Sequence, residues 1–377
     1  MGAPVTWEAV RELAGFRSKT GCALSLYLDL DPSTTPTPAD AETRLSSLLA
    51  RAEKEFSSNG RRPHEAKVAV SRDLERIRDW WSTEFDRDGS RGIALFASSG
   101  DGFWRELPLP GGVRDDVHLG RELRVRPLVE LAGDGEGALV AVVNRERGAV
   151  FRLRASRLEE VVDRSEEQPG QHDQGGWSQA RFQRHIEKLV AEHLKAVGGE
   201  IDKRVRRTRG PRLVIVAPDE LRGEIEEALS LEAREAIVGW AHAEAHAAPA
   251  ELLAAARPYF DRARIARERE ALARWREERG RQARATAGWT DTLPAASDAR
   301  VETLLLETNT RRRAFHCPKC GRAEAAAGSC PLDGTELEPD EGDELAVHHT
   351  LSHGGVIVSV PAGELAEAEG IGALLRF

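Results

Sequence analysis

No stretch of this 377-residue chain approaches the ~20 consecutive apolar residues that a membrane-spanning helix needs. Its opening residues, MGAPVTWEAV, lack the basic-then-apolar order of a secretory signal, so a cytoplasmic location is expected. Cysteine is scarce. Cys22 stands alone, and Cys317, Cys320 and Cys330 cluster. An odd cluster in a cytosolic chain argues against a disulfide framework and for a metal. There is no P-loop, no GxSxG elbow and no HExxH, which removes three common kinds of active site. No solenoid-like repeat is present either.

Charge of one sign is also missing from a long stretch. Between Ala323 and Leu375 there are eleven acidic residues and no lysine or arginine. From Arg181 to Arg209 the balance reverses, with nine basic residues against four acidic ones. The net charge of −9 therefore conceals a segregation. The basic stretch can lie against phosphates, whereas the acidic one would be repelled by them and suits a protein partner.

The chain is too long for one core, and its elements alternate as an α/β protein does. Strands are expected at 23–29, 92–98 and 103–109, with helices near 39–57 and 65–86, forming an N-terminal α/β domain over 1–122. A second domain, 123–245, holds a hairpin (138–143 and 149–153), a long helix from about Gln179 to Arg207, and a buried strand at 212–217. The third, 246–377, opens with an Arg/Glu-rich helix over 248–286, read as solvated. Strands at 304–308 and 354–360 follow, the latter expected to be the last.

The densest signal lies in GQHDQGGWSQARFQRHIEKLVAEHLKAV, from Gly170. Gly175 and Gly176 permit close backbone approach directly before an amphipathic helix, and Ser178 is placed to cap it. Phe182, Ile186, Leu189, Val197 and Ile201 form a core stripe. Arg181, Arg184 and Lys188 fall mostly off it, and Lys203, Arg204, Arg206 and Arg207 end the helix in positive charge. Physical chemistry alone also allows a capped surface helix with a merely solvated basic face.

GGWSQARFQRHIE resembles the GGQSxxRFxRxxE segment of eukaryotic and archaeal class I release factors, the superfamily that includes Pelota. Gly175, Gly176, Ser178, Arg181, Phe182, Arg184 and Glu187 match in register, and Trp177 departs, standing where the family has glutamine. GIGALLRF at 370–377 is similar to the segment that closes the family's third domain. The resemblance implies a three-domain, release-factor-like architecture whose central loop approaches peptidyl-tRNA in the ribosomal P site. Catalysis would then fall to Gly175, Gly176 and Gln179, with Gln174 as another candidate glutamine. Trp177, Ser178, Arg181, Arg184, Lys188 and the 203–207 cations would meet rRNA or tRNA. A translational GTPase is the partner implied for the C-terminal domain, and no membrane partner is expected.

HCPKCGRAEAAAGSCPLDGTEL resembles a zinc ribbon inserted at 315–337. CPKC and CPLD each offer two ligand positions on a tight turn, completed by Gly321 or Gly334. Cys317, Cys320 and Cys330 supply three ligands for a structural zinc, and Asp333 stands where a fourth cysteine would be. His316, His348, His349 and His353 are alternatives for the fourth, and a metal-free ribbon is the remaining reading. His242 and His246, and His172 beside Asp173, are read as ordinary polar residues.

Residues 1–120 carry no segment resembling the family's stop-codon signatures. Codon-independent A-site binding is therefore expected, either hydrolysing peptidyl-tRNA on stalled ribosomes or occupying the site during hibernation.

Overall fold

The computed structural model describes residues 5–19, 22–58, 64–87, 90–109, 112–132, 137–154, 157–165, 177–208, 210–244, 247–308 and 310–377, excepting the side chains of 130, 154 and 164–187. The N-terminal elements are α1 (Trp7–Ala14), β1 (Ala23–Asp29), α2 (Pro38–Ser58), α3 (His64–Thr83), β2 (Gly92–Ser98), β3 (Phe103–Leu109), β4 (Asp116–Gly120) and α4 (Arg126–Ala132). The middle of the chain forms β5 (Ala138–Val143), β6 (Arg147–Arg154), β7 (Arg157–Ser165), α5 (Trp177–Arg206), β8 (Arg212–Val216), α6 (Arg222–Ala228), α7 (Leu231–Glu235), β9 (Ile237–Ala241) and α8 (Pro249–Gly280). The remainder is β10 (Ala285–Ala287), α9 (Trp289–Ser297), β11 (Val301–Glu307), β12 (Arg313–His316), β13 (Ala323–Glu324), β14 (Glu338–Glu341), α10 (Gly342–Ser352), β15 (Val356–Val360) and β16 (Ile371–Leu375).

Two compact units result, residues 1–132 with 268–377 and residues 133–267. In the first, β1 and β2 are buried along their whole length because both faces of their sheet are covered. The sheet runs β3-β2-β1-β4. Leu24, Leu26 and Leu28 face α2 and α3, packing on Leu45, Leu49, Leu74 and Ile77. Ala23 and Tyr27 turn the other way, as strand alternation requires, into a cluster with Val10, Leu128, Trp289, Leu345, Leu304 and Ile371. The N-terminal and C-terminal stretches thus share one hydrophobic core.

That core reaches a second sheet, ordered β10-β16-β11-β15. The last strand is β16, lying inside this sheet between β10 and β11; Val356–Val360 is only its parallel edge. Gly372 belongs there because a Cβ would stand 2.7 Å from Nε1 of Trp275, which is fully buried. The Arg/Glu-rich helix is correspondingly less solvated than expected. In α8, Leu252, Leu253, Ala256 and Phe260 enter the core of the second unit. Leu272 and Trp275 enter that of the first.

In the second unit the sheet runs β7-β6-β5-β8-β9, with β5 and β8 parallel. On α5 the buried stripe is Val190, Leu194, Val197, Ile201 and Val205, so Leu189 sits one position to its side, half-buried. The helix already includes Ser178, which is therefore inside the first turn rather than capping it. Gly148 lets α5 lie close on β6, since a Cβ there would come within 2.1 Å of Val197. No helix among the described residues is long and apolar enough to cross a membrane.

Candidate functional site

The three clustered cysteines are brought together by two matching turns. In the first, Gly321 N–H donates to Cys317 C=O at 2.8 Å and Cys317 N–H to Arg322 C=O at 2.8 Å. The second repeats this pattern, with Gly334 N–H on Cys330 C=O at 2.9 Å and Cys330 N–H on Thr335 C=O at 2.7 Å. Both turns need a left-handed residue to close, and Gly321 (φ 86°) and Gly334 (φ 72°) supply it. Asp333 occupies the same place in the second turn as Cys320 in the first.

Ligand atoms of Cys317, Cys320, Cys330 and Asp333 all lie within 4.8 Å of one another. Cys320 Sγ and Cys330 Sγ are 3.6 Å apart, and Cys317 Sγ is 3.6 Å from Asp333 Oδ1. Zinc–sulfur bonds of ~2.3 Å in a tetrahedron place ligand atoms about 3.5–3.8 Å apart, so the donor set fits such an ion. The amide of Cys320 also points at Cys317 Sγ, at 3.5 Å. Burial raises the Cys317 thiol, but the amides of Cys320 and Lys319 outweigh it and hold the group below its ordinary value.

The histidine alternatives lie elsewhere. His316 Nδ1 is 3.3 Å from Asp340. His349 Nε2 meets the carbonyl of Gly321 at 3.0 Å, and His348 Nε2 is 3.5 Å from Glu122. Arg17 joins this group, with Nη1 2.8 Å from Glu122 and 3.4 Å from the Cys320 carbonyl. Arg17, Glu122, His348, His349 and Leu332 border a cleft of about 240 Å³ into which the exposed Cys320 opens.

Burial pushes both His348 and His349 down to about 4. A histidine kept neutral in the fold but titrating near 6.5 when unfolded stabilises the fold above pH 6.5, and that stability is lost as the pH falls towards 4. Glu344, raised by burial to about 7, has the opposite sign, losing stability as the pH rises from 4.5 to 7. A His348→Gln variant keeps the Glu344 contribution. The wild type should therefore lose up to about 3 kcal/mol relative to it between pH 6.5 and 4, in parallel denaturant titrations. An unchanged difference across that range would contradict the burial argument. The groups facing His348 (Arg17, Glu122, Asp340, His349 and His353) are common to both proteins.

In the second unit, the exposed face of α5 carries Lys188, Lys203 and Arg206, and the exposed Arg207 follows it directly. Three have carboxylate neighbours: Glu192 for Lys188, Glu200 for Lys203 and Glu232 for Arg206. Such surface pairs are worth ~0–1 kcal/mol each, so a phosphate can displace them. Arg204 differs, being half-buried with Nη2 on the Val161 carbonyl at 3.2 Å. Trp177, Ser178 and Gln179 form the first turn of α5, and Arg181 and Arg184 the next, but their side chains lie outside the described residues. Gln174, Gly175 and Gly176, with His172, Asp173 and His246, are themselves outside the described residues.

The seam within the first unit was not anticipated from sequence. Arg124 pairs with Asp340 at 2.9 Å and Glu341 at 2.5 Å, Arg126 pairs with Asp343, and Glu344 accepts the N–H groups of Val125 (2.6 Å) and Arg126 (3.1 Å). Arg322 pairs with Glu324, Arg276 with Glu364, Arg279 with Glu367 and Arg312 with Glu369. Eight of the eleven acidic residues in 323–375 are thus engaged within the fold.

Residues 124–260 match the model of the bacterial archaeo-eukaryotic release factor family 10. Peptide chain release factor subunit 1 of Archaeoglobus fulgidus is 25% identical over 285 residues, covering 69% of this chain and 70% of that one. Its counterpart from Methanosphaera stadtmanae is 33% identical over 86 residues, 23% and 21% of the two chains. Among solved structures, the archaeal termination factor aRF1 covers 99% of this chain and 98% of its own at 17% identity, with a TM-score of 0.28. For S. cerevisiae Dom34 the values are 76% and 79%, 12% identity and 0.39, and neither superposition is close enough to transfer geometry. Over about two thirds of its length the chain is similar to archaeal peptide chain release factors. Its middle, residues 124–260, is similar to the bacterial archaeo-eukaryotic release factors.

Proposed function

We propose that this protein is a cytoplasmic translation factor that binds the ribosomal A site without reading a codon and hydrolyses peptidyl-tRNA on stalled ribosomes. The observation that carries this is the family match over 124–260, which spans the Gly175-Gly176 pair and the whole of α5. Proteins of related fold include an archaeal Pelota bound to the ribosome with ABCE1, and S. cerevisiae Dom34, which interacts with Hbs1. For this chain we infer a ribosome partner, contacted by Lys188, Lys203, Arg206 and Arg207, and by Trp177, Ser178, Arg181 and Arg184 at the start of the helix. A translational GTPase is a further candidate partner for the C-terminal stretch. We assign these contacts to three functional segments, 1–122, 123–245 and 246–377. The cysteine–aspartate cluster would hold a structural zinc, fastening the ribbon with no open position for chemistry.

A second reading, occupation of the A site without hydrolysis, is favoured by one observation. Trp177 stands at the glutamine position and Gln179 is already in the first helical turn. Purified protein is to be mixed with 70S ribosomes carrying labelled peptidyl-tRNA, scoring pelleting and peptide release for wild type, Gln179→Ala and Trp177→Ala. Release that vanishes with Gln179→Ala supports hydrolysis; binding without release, weakened by Trp177→Ala, supports occupation. Failure to pellet at low salt removes both.

A further inference from the structure

The four members of the ribbon cluster are unequal in ways that matter for oxidation. Cys317 and Cys330 are buried, whereas Cys320 is exposed and opens on the cleft beside Arg17 and Leu332. The sulfur of Cys320 faces Cys330 at 3.6 Å, while that of Cys317 faces a carboxylate. Asp333, exposed on its turn, replaces the thiolate that would complete a four-cysteine site. Carboxylate is a harder donor than thiolate and a weaker hold on a soft-tolerant ion.

From this geometry we infer that Cys320 and Cys330 form an oxidation site for small hydroperoxides, closing to a disulfide with expulsion of the metal. The inference rests on the structural-zinc reading above. The Cys320 thiolate attacks the terminal peroxide oxygen, the O–O bond breaks, and hydroxide (alkoxide from an organic hydroperoxide) leaves and takes up a proton as water or alcohol. Cys330 then attacks the sulfur of the resulting sulfenic acid, the S–O bond breaks, and a water departs. Two thiolates lose one electron each, and the peroxide gains both. Access dictates the order, because only Cys320 is reachable from solvent. Cys317 keeps its thiol, since three cysteines leave one without a partner.

The consequence extends beyond the ribbon. The Cys320 carbonyl lies on Arg17 and the Gly321 carbonyl on His349, so the first turn is tied to the segment after α1 and to α10. Pulling the Cys320 sulfur from 3.6 Å towards the ~2 Å of a disulfide strains those ties.

The test uses the full chain with Cys22→Ala, which removes the buried unrelated thiol. Total zinc is first measured after acid digestion, then release by hydrogen peroxide is followed with a chromogenic chelator. Peptide mass spectrometry follows in parallel. The expected results are a loss of two hydrogens, a Cys320–Cys330 linked peptide with Cys317 still alkylatable, and release of the whole zinc content. Dithiothreitol with added zinc should reverse all three. An Asp333→Cys variant, with a fourth thiolate, should release metal more slowly at the same peroxide concentration. A link involving Cys317, or Cys320 carried to sulfinic acid with no link, overturns the inference even if zinc is present. If the digest contains no zinc, the metal reading fails, and formation or absence of the Cys320–Cys330 link alone decides the inference.

Discussion

Arg126→Ala is expected to destabilise the first unit by about 3–5 kcal/mol, the range for removing one partner of a buried ion pair. Asp343 is 1% exposed, and its Oδ1 has no hydrogen-bond partner, so the guanidinium of Arg126 is the group that makes its charge tolerable. Deleting the cation leaves a carboxylate in a core where water cannot reach it. The same reasoning predicts rescue. Arg126→Met combined with Asp343→Leu removes both charges while keeping side-chain volume, and should recover most of the loss. Denaturant midpoints of the wild type, the single variant and the pair measure this directly. A single variant within about 1 kcal/mol of wild type would show that Asp343 is neutral or hydrated, and the seam would lose its electrostatic basis.

This pair illustrates what the sequence could not disclose. Arg126 and Asp343 are 217 residues apart, and each alone is an unremarkable charged residue. The helix α10 was missed for a related reason: Asp343, Glu344, His348, His349 and Thr350 are all buried, so the stripe that marks an amphipathic helix is absent. Strands β1, β2 and β5 were legible because they are short apolar runs covered on both faces. β16 was read only as a motif, because a Gly-Ile-Gly start suggests a turn until Trp275 is seen to occupy the space above Gly372. The long helix α8 was misjudged because its two ends pack in different units, which splits its apolar residues into two short sets.

The candidate metal cluster was legible in full, ligand by ligand, because its geometry is local: two turns of the same kind, each presenting its first and fourth residues. The charge pattern was legible only as composition. Arginines 124, 126, 276, 279, 312 and 322 return to the acidic segment from elsewhere in the fold or from its own border, and no window average can register that.

If the cysteine–aspartate cluster holds the proposed zinc, stripping it should exceed the effect of any single substitution. Structural zinc sites in isolated peptides bind with ~10–16 kcal/mol, and such binding energy is folding energy wherever the site does not exist without the ion. Here β12 already pairs with β14 over four residues and Leu337 packs against Cys317 and Cys330, so part of the ribbon can persist. The two turns cannot hold together as easily. Without the ion, buried thiols of Cys317 and Cys330 would face Asp333 with little else to fix them. Chelation at neutral pH should therefore expose all three cysteines to alkylation, where before only Cys320 reacts. It should also lower the thermal midpoint by many degrees and loosen hydrogen exchange at Cys317, Gly321, Cys330 and Gly334, the amides that close the turns. Asp333→Ala should fall between the two states, since three thiolates remain. An unchanged midpoint, with Cys317 still protected after chelation, would establish a metal-free ribbon held by β12, β14 and the His349–Gly321 contact alone.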